Sequence, residues 1–391
     1  MRLLTLTTLV LAIGWAAALP AGQSRPRARD LGIAPGAGTP GPSNAITDVA
    51  GVMVGHTTLV VGDTIRTGVT AVLPHAGNLF REKVPGAVFV GNAFGKLAGS
   101  TQVDELGTIE SPIVLTNTLS VGAALDAVVR WTIAQTGNEN VRSVNGLVGE
   151  TNDGGLNDIR GLHVTRDHVA AAIAAAKSGA VEEGAVGAGT GTSAFGWKGG
   201  IGTSSRRVKQ QNDEWTVGVL VQSNYGGRLT IDGVPVWREL RPNAGRDGGQ
   251  TDGGSGLVAP KHRESDAEAD GSCMIIVATD APLDARDLKR LAARAVFALA
   301  RTGSTYSNGS GDFAIAFSTN ASLRVTATNG PQPRSILPTD AVSGLFEGVL
   351  EATEEAVYNS LLKATDTTTN GRTVRALPID ELKAVMKKYG R

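Results

Sequence analysis

A continuous apolar run at residues 273–279 constrains the fold of this chain more than any other segment. It contains no charged side chain, whereas a strand with one face in solvent would alternate apolar and polar residues. The run therefore predicts a β-strand that is buried on both faces. A sheet that holds such a strand needs a covering layer on each side, which favours a layered fold of sheets and helices. Cys273, the only cysteine of the chain, is then expected to be a small buried side chain without a disulfide partner.

Further strands and helices are predicted along the chain. β-Branched runs bounded by glycine or proline predict strands at residues 51–55, 68–73, 87–90, 113–115, 215–223 and 313–317. Helical spacing of apolar residues predicts helices at residues 123–136, 168–177, 285–302, 341–364 and 378–388. Residues 231–236 are interpreted as the returning edge of a hairpin. Because strands and helices alternate only loosely, mixed sheets covered by helices fit better than a regular βαβ array.

Composition and spacing argue against several classes of protein. The 391 residues are 41% hydrophobic and 19% charged, which is typical of a globular chain and not of a disordered one. Lysine plus arginine equals aspartate plus glutamate, at 37 each, so we expect no binding to nucleic acid. The five histidines lack the spacing of metal ligands, and the glycine clusters lack the lysine of a phosphate loop. We therefore expect neither a metal nor another cofactor.

The N-terminus has the features of a secretory signal. Met1 and Arg2 form a short basic segment, residues 3–18 are largely apolar, and small residues precede the polar stretch at 22–24. We expect residues 1–24 to be a signal peptide, the protein to be secreted or periplasmic, and the mature chain to have no membrane association. An N-terminal anchor that stays uncleaved is the alternative.

A polar segment rich in glycine and aspartate, residues 238–271, precedes the apolar run and predicts a flexible, exposed linker. It ends at Gly271-Ser272, and Ser272 has two interpretations. It is either the first residue of a strand after a loop, or a nucleophile that cleaves the bond before it by an N-to-O acyl shift. In the second case hydrolysis leaves a serine with a free α-amine. Since the ordinary pKa of that amine is near ~8, it can act as the base for its own hydroxyl.

Three other polar motifs offer chemistry. Residues 308–312, Asn-Gly-Ser-Gly-Asp, form either a glycine turn or a hydroxyl and a carboxylate that adjacent strands place near the nucleophile. Asn224 follows a strong strand and is either a turn residue or an oxyanion-hole amide. Residues 149–158 are rich in aspartate and asparagine but do not match an EF-hand, which favours a polar loop.

Taken together, these motifs resemble the DmpA family. This family comprises the L-aminopeptidase/D-esterase and β-peptidyl aminopeptidase relatives, also called P1-family peptidases. The matching segments, in chain order, are residues 28–33, 44–49, 51–57, 150–154, the Asn224 segment, Gly271-Ser272 with residues 278–283, and residues 308–312. Because the resemblance covers nearly the whole mature chain in order, it is more specific than any single motif.

The resemblance implies a fold and an activity. The fold is a four-layer αββα sandwich, similar to N-terminal nucleophile hydrolases but differently connected. Residues 25–271 and 272–391 would be the two fragments of one hydrolase domain, held together in a homotetramer of processed heterodimers. The implied activity is release of N-terminal residues from small peptides, amino-acid amides or esters. Whether L-, D- or β-residues are preferred stays open.

The resemblance also assigns catalytic roles. Ser272 would be the nucleophile, freed by cleavage after Gly271. Ser310 and Asp312 would tune its hydroxyl and its amine, and Asn224 would donate to the oxyanion. Relatives often carry a glutamate where this chain has Asp312, and the shorter side chain changes the reach of that contact.

Substrate binding is implied for Glu150 and Asn152. Glu150 would hold the free ammonium of the substrate through a charge-assisted bond, which restricts the activity to N-terminal residues. Two other functions stay open. An acyltransferase similar to the ornithine acetyltransferases shares the implied architecture but uses an N-terminal threonine. A non-catalytic secreted binding protein would carry an inert Ser272 in an intact chain.

Overall fold

The computed structural model describes residues 25–210, 212–242, 271–326 and 330–391. The predicted signal peptide, residues 1–24, and residues 243–270 of the predicted linker lie outside these ranges. Within them the chain forms fifteen β-strands and six α-helices. The strands are β1 (Met53–Val61), β2 (Ile65–Leu73), β3 (Val84–Ala93), β4 (Leu97–Ala98), β5 (Thr108–Ile109), β6 (Ile113–Asn117), β7 (Leu147–Thr151), β8 (Ser193–Ala194), β9 (Trp197–Lys198), β10 (Gly200–Gln210), β11 (Asp213–Asn224), β12 (Ser272–Thr279), β13 (Gly311–Ser318), β14 (Thr367–Thr369) and β15 (Arg372–Val374). The helices are α1 (Ser100–Leu106), α2 (Val121–Ile133), α3 (Arg166–Ala174), α4 (Ala285–Arg301), α5 (Ser343–Leu362) and α6 (Ile379–Lys388).

Most strands belong to two mixed sheets. The large sheet has the strand order β10-β11-β12-β13-β3-β5, and the small sheet has the order β1-β2-β6-β7-β4. Neighbouring strands are antiparallel except for one parallel pair in each sheet, β12 with β13 and β6 with β7. The remaining described strands form the hairpins β8-β9 and β14-β15.

Helices cover the outer face of each sheet. α4 and α5 pack on the large sheet, and α2 and α3 pack on the small sheet. Between the sheets, Ile276 and Ile315 of the large sheet share one apolar cluster with Val72 and Leu115 of the small sheet. The order helix, sheet, sheet, helix confirms the predicted αββα sandwich and its mixed sheets.

β12 lies inside the large sheet and is buried along its whole length. Met274 and Ile276 belong to the cluster between the sheets, whereas Ile275 and Val277 belong to the cluster under the helices. Burial of each such large apolar side chain contributes about 1.5–3 kcal/mol. The two-sided burial confirms the prediction for residues 273–279, and Cys273 is buried and unpaired as expected.

All five predicted helices are present, with ends within three residues of the predicted ones. The N-cap of α4 shows why this helix begins where it was predicted to begin. The Asp284 side chain accepts a hydrogen bond from the Asp287 amide at 3.0 Å, which satisfies one of the free N–H groups of the first turn. No helix in the described part of the chain has the length and apolar character that crossing a membrane requires.

Two local predictions need correction, and one long strand was not predicted. Residues 231–236 are a tight turn: Ile231 and Val234 exchange backbone hydrogen bonds, Asp232 and Gly233 between them have positive φ, and Pro235 has no N–H to extend the ladder. The predicted linker begins too early, because Leu240 is buried against the domain. The sequence also does not predict β10. This strand of eleven residues is rich in glycine, serine and arginine, and so it lacks the β-branched run by which strands are predicted.

Candidate active site

Ser272 is the first residue of β12 and is only 5% exposed. Its neighbours follow from the register of the sheet. The antiparallel pairing with β11 puts Asn224 opposite Ser272, and the parallel pairing with β13 puts Gly311 on the other side. Three segments that the sequence singled out separately, around residues 224, 272 and 308–312, therefore meet at one end of the large sheet.

The Gly311 amide is directed at the bond before Ser272. Its N–H lies 3.2 Å from the Gly271 carbonyl oxygen and 3.3 Å from Ser272 Oγ. A donor at this place stabilises negative charge on the Gly271 oxygen when Oγ attacks the carbonyl carbon. The backbone of the site thus places an N–H donor against the Gly271 carbonyl oxygen.

Gly271 is required by its surroundings as well as by its chemistry. A Cβ at this position would collide with the Asn224 carbonyl oxygen and with the Tyr225 Cα. These are backbone atoms of the last residue of β11 and of the residue after it, so they cannot move aside as a flexible side chain would. The close approach of two backbones selects glycine on the carbonyl side of the bond.

Ser310 and Asp312 form a hydrogen-bonded pair at the start of the strand beside Ser272. Ser310 Oγ donates to Asp312 Oδ2 at 2.9 Å, and Asp312 lies opposite Cys273 in the ladder, one residue past Ser272. Burial raises the pKa of Asp312 to about 6, although hydrogen bonds from Ser310 and from the Cys273 backbone oppose this shift. Asp312 Oδ1 is buried and has no hydrogen-bond partner among the described residues. A carboxylate with a free oxygen at this place can accept an N–H from an amine at Ser272.

Glu150 lies on β7 of the small sheet and is 3% exposed. The Lys96 backbone amide donates to its Oε1 at 2.9 Å, and the Thr118 hydroxyl donates to its Oε2. Within the described ranges Glu150 forms no ion pair with a lysine, arginine or histidine. A buried carboxylate is costly without a positive partner. The Glu150 carboxylate is therefore available to pair with a cation that comes from outside the chain.

Glu150 approaches the strand beside Ser272 at Gly95. A Cβ placed on Gly95 would lie 3.2 Å from Glu150 Oε1 and 3.3 Å from the Gly311 Cα. Gly95 therefore separates the carboxylate from the strand that pairs with β12. The two sheets also meet here, since a Cβ on Gly149 would collide with the Met274 Cε.

The Asn224 side chain is held in one orientation. Its Oδ1 accepts from the Ser193 amide at 3.0 Å, which identifies that atom as the oxygen, and its Nδ2 donates to the Asn152 carbonyl at 2.9 Å. An amide nitrogen has two N–H groups. One N–H of Asn224 is thus left for a substrate oxygen beside Ser272.

Asn152 enters the site through its backbone. Its side chain is exposed, and its Oδ1 accepts from the Gly154 amide at 2.9 Å, which closes a turn. The structure thus brings together Ser272, Ser310, Asp312, Asn224 and Glu150, and it engages the Asn152 side chain elsewhere. Sequence reasoning missed Thr118 and the buried residues Asp153 and Lys198. No cluster of three or more histidine, cysteine, aspartate or glutamate residues in the described part of the chain is arranged to hold a metal.

Comparison with known proteins gives a consistent result. The model of peptidase family S58 matches residues 44–374. The curated β-peptidyl aminopeptidase BapA of Sphingosinicella microcystinivorans is 44% identical over 380 residues, which cover 94% of this chain and 93% of that protein.

Two solved structures extend the comparison. The L-aminopeptidase D-Ala-esterase/amidase of Ochrobactrum anthropi, a prototype of the serine aminopeptidases with a variant of the Ntn hydrolase fold, matches with a TM-score of 0.82 and 36% identity over 94% of this chain and 99% of that one. A β-aminopeptidase from a Burkholderia species matches with a TM-score of 0.81 and 39% identity over 93% of this chain and 99% of that one. Among the functions that the sequence left open, these matches support the aminopeptidase.

Proposed function

Since the chain belongs to peptidase family S58 and is an aminopeptidase with an Ntn-type nucleophile, we propose that Ser272 is this nucleophile. It becomes active when the chain cleaves its own Gly271-Ser272 bond. In the first step Ser272 Oγ adds to the Gly271 carbonyl carbon while the Gly311 N–H stabilises the oxygen. The C–N bond then breaks, and the Ser272 nitrogen takes up the proton. Water hydrolyses the resulting ester to a Gly271 carboxylate and a free Ser272 hydroxyl.

The processed site then acts on substrates with a free amine. The substrate ammonium binds Glu150, its carbonyl oxygen binds the remaining N–H of Asn224, and Ser272 Oγ attacks the carbonyl carbon. The α-amine of Ser272 accepts the hydroxyl proton and passes it to the leaving amine. Ser310 and Asp312 orient that α-amine. Water then hydrolyses the acyl-enzyme.

One observation carries the proposal: a buried carboxylate, Glu150, has no cationic partner among the described residues and lies one glycine away from the strand beside Ser272. A substrate ammonium supplies the missing charge. We propose small peptides, amino-acid amides and esters as substrates, with β-residues accepted at the N-terminus, because the BapA relative is named for that activity. A panel of L-Ala, D-Ala and β-homoalanine p-nitroanilides tests this, and turnover of the L-substrate alone would contradict acceptance of β-residues.

The cleavage is tested by mass spectrometry of the purified full-length protein. The wild-type protein is expected to give two fragments, the smaller beginning at Ser272. Ser272→Ala is expected to stay in one piece and to hydrolyse no aminoacyl amide, whereas the matched exposed variant Ser178→Ala should behave as wild type. A Ser272→Ala protein that still splits before position 272 would refute the proposal.

We further propose that the mature enzyme is secreted or periplasmic and assembles as a homotetramer of processed heterodimers. The signal-like composition of residues 1–24 supports export, and the family resemblance supports the assembly. N-terminal sequencing of enzyme from the periplasmic and culture fractions tests the first point. Light scattering of the purified enzyme tests the second, and a mass of one processed chain would contradict it.

A further inference from the structure

Lys198 is a charged side chain that the proposed reaction does not use. It is fully buried, and its Nζ donates to the Gly189 carbonyl at 2.9 Å and to the Gly199 carbonyl at 2.8 Å. Burial lowers the pKa of Lys198 to about 7, against the influence of the negative charge of Asp153. An apolar side chain of similar length would fill the same space without this desolvation cost. We therefore expect the buried amine of Lys198 to have a role beyond packing.

The segment that Lys198 braces reaches Asn224 directly. The Gly199 amide donates to the Thr192 carbonyl at 3.2 Å. The next residue, Ser193, donates its own amide to Asn224 Oδ1 at 3.0 Å. The ammonium thus holds the two ends of a glycine-rich segment, residues 189–199, whose middle orients the oxygen of the Asn224 amide.

A second segment holds the nitrogen of the same amide. Asn224 Nδ2 donates to the Asn152 carbonyl at 2.9 Å, and the residue after Asn152 is the buried Asp153. Asp153 Oδ1 accepts from Asn157 at 3.0 Å, while its Oδ2 has no hydrogen-bond partner among the described residues.

The two segments touch each other. A Cβ on Gly191 would lie 2.9 Å from the Asp153 Cβ. The negative charge of Asp153 also opposes the lowering of the pKa of Lys198 by burial. The amide of Asn224 is therefore held from both sides, by one segment that the buried Lys198 braces and by a neighbouring segment that carries the buried Asp153.

We propose that Lys198 and Asp153 are a positioning pair that holds the Asn224 amide toward the substrate oxyanion and so sets kcat without contacting substrate. The inference rests on the proposed function, because it requires Asn224 to be the oxyanion donor for substrates. Self-cleavage should not need the pair, since the Gly311 N–H serves the Gly271 carbonyl.

The test is a double-mutant cycle between Lys198→Met and Asn224→Ala in the full-length protein. Activity is expressed per processed chain, with the smaller fragment quantified by mass spectrometry. Loss of an oxyanion donor costs about 10²- to 10³-fold in kcat. We expect Lys198→Met to process normally and to lose about 10- to 10²-fold in kcat with KM within about 2-fold of wild type, since the Glu150 contact is intact.

The combined variant separates positioning from stability. When Asn224 is absent, adding Lys198→Met should change kcat by less than about 2-fold, because the residue acts through that amide. Multiplicative losses in the combined variant, or an unchanged kcat in Lys198→Met, would overturn the proposal. Glu351→Gln, which weakens the 2.9 Å ion pair of another buried cation, Arg206, is the control and should lower the unfolding midpoint without changing kcat.

Asp153→Asn repeats the test if Lys198→Met does not fold, because it keeps the side-chain shape and the hydrogen bond to Asn157. The same loss of kcat and the same non-additivity with Asn224→Ala are expected. An unprocessed, inactive wild-type chain would refute the proposed function and this inference together. An active wild type with an additive cycle would refute only the inference.

Discussion

Two buried carboxylates lie close to Ser272, and their surroundings differ. Glu150 comes from the small sheet, and both of its oxygens accept hydrogen bonds, from the Lys96 amide and the Thr118 hydroxyl. Asp312 comes from the large sheet; its Oδ2 accepts from Ser310, and its Oδ1 has no hydrogen-bond partner among the described residues. Burial raises the pKa of Asp312 to about 6. A carboxylate held on both oxygens can serve as a fixed receptor for a substrate cation. A carboxylate with a free oxygen and a pKa raised to about 6 can exchange a proton near neutral pH.

Glu150→Gln tests most directly whether Glu150 holds the substrate ammonium. We expect kcat/KM for substrates with a free amine to fall about 10²- to 10³-fold, because truncating one partner of a buried charge pair costs about 2–5 kcal/mol. Steady-state kinetics on an aminoacyl p-nitroanilide measures this, with Glu105→Gln on the surface of α1 as the matched control. A fall in kcat/KM of less than about 5-fold would show that Glu150 does not bind the substrate ammonium.

Asp312→Asn should have a smaller effect on turnover but a distinct effect on its pH dependence. We expect kcat to fall about 10- to 10²-fold, since the variant can still accept from Ser310 but cannot carry a charge. In the wild type, activity should rise with pH through about 6 as Asp312 ionises. The variant should lack that rise, and a pH profile of kcat/KM measures it. If kcat/KM rises in the same way through about pH 6 in both proteins, the rise belongs to a group other than Asp312.

Asp312→Asn should also change how the stability of the folded protein depends on pH. Since burial raises the pKa of Asp312, the folded state binds the extra proton between about pH 4 and 6, and its stability falls as pH rises through that window. Asp312→Asn should therefore be more stable than its parent at pH 7, by at most about 3 kcal/mol, and the gain should vanish near pH 4. Urea unfolding in the Ser272→Ala background measures this difference without interference from cleavage. A difference that does not depend on pH would contradict the assignment.

Asn152→Ala should have the smallest effect and provides a reference for both acids. The side chain of Asn152 is exposed and closes a turn with Gly154, while its backbone carbonyl makes the contact to Asn224. We expect kcat and KM to change by less than about 3-fold, which is below 1 kcal/mol. Steady-state kinetics on the same substrate decides the point. A loss above about 10-fold would mean that the side chain itself binds substrate.

Elements with local signals were predictable from sequence. β12 shows an uninterrupted apolar run because both of its faces are covered, and α4 shows an aspartate cap before an apolar stripe. β10 was not predictable. Its buried Arg206 depends on Glu351 and Glu355 of α5, about 150 positions along the chain, and no local pattern reveals such partners.

The site was predictable in its residues and only partly in its arrangement. The linker ending at Gly271-Ser272 and the Ser310–Asp312 motif are visible in the sequence, and pairing between β12 and β13 explains why they meet. Lys198 lies in a glycine-rich stretch that looks like an exposed loop. Nothing in its neighbours shows that it is buried, because its hydrogen bonds are to backbone carbonyls, which every residue carries.

The strand order of the large sheet determines what would follow the proposed cut before Ser272. β12 and β13 would belong to the smaller piece, yet they stand between β11 and β3 of the larger one, and α5 of the smaller piece covers β10 and β11. Pulling the pieces apart would open two complete ladders at once and strip a helix from the core. The proposed processing would therefore alter covalent connectivity without creating separable subunits, and both pieces should elute together in any solvent that leaves the sheet folded.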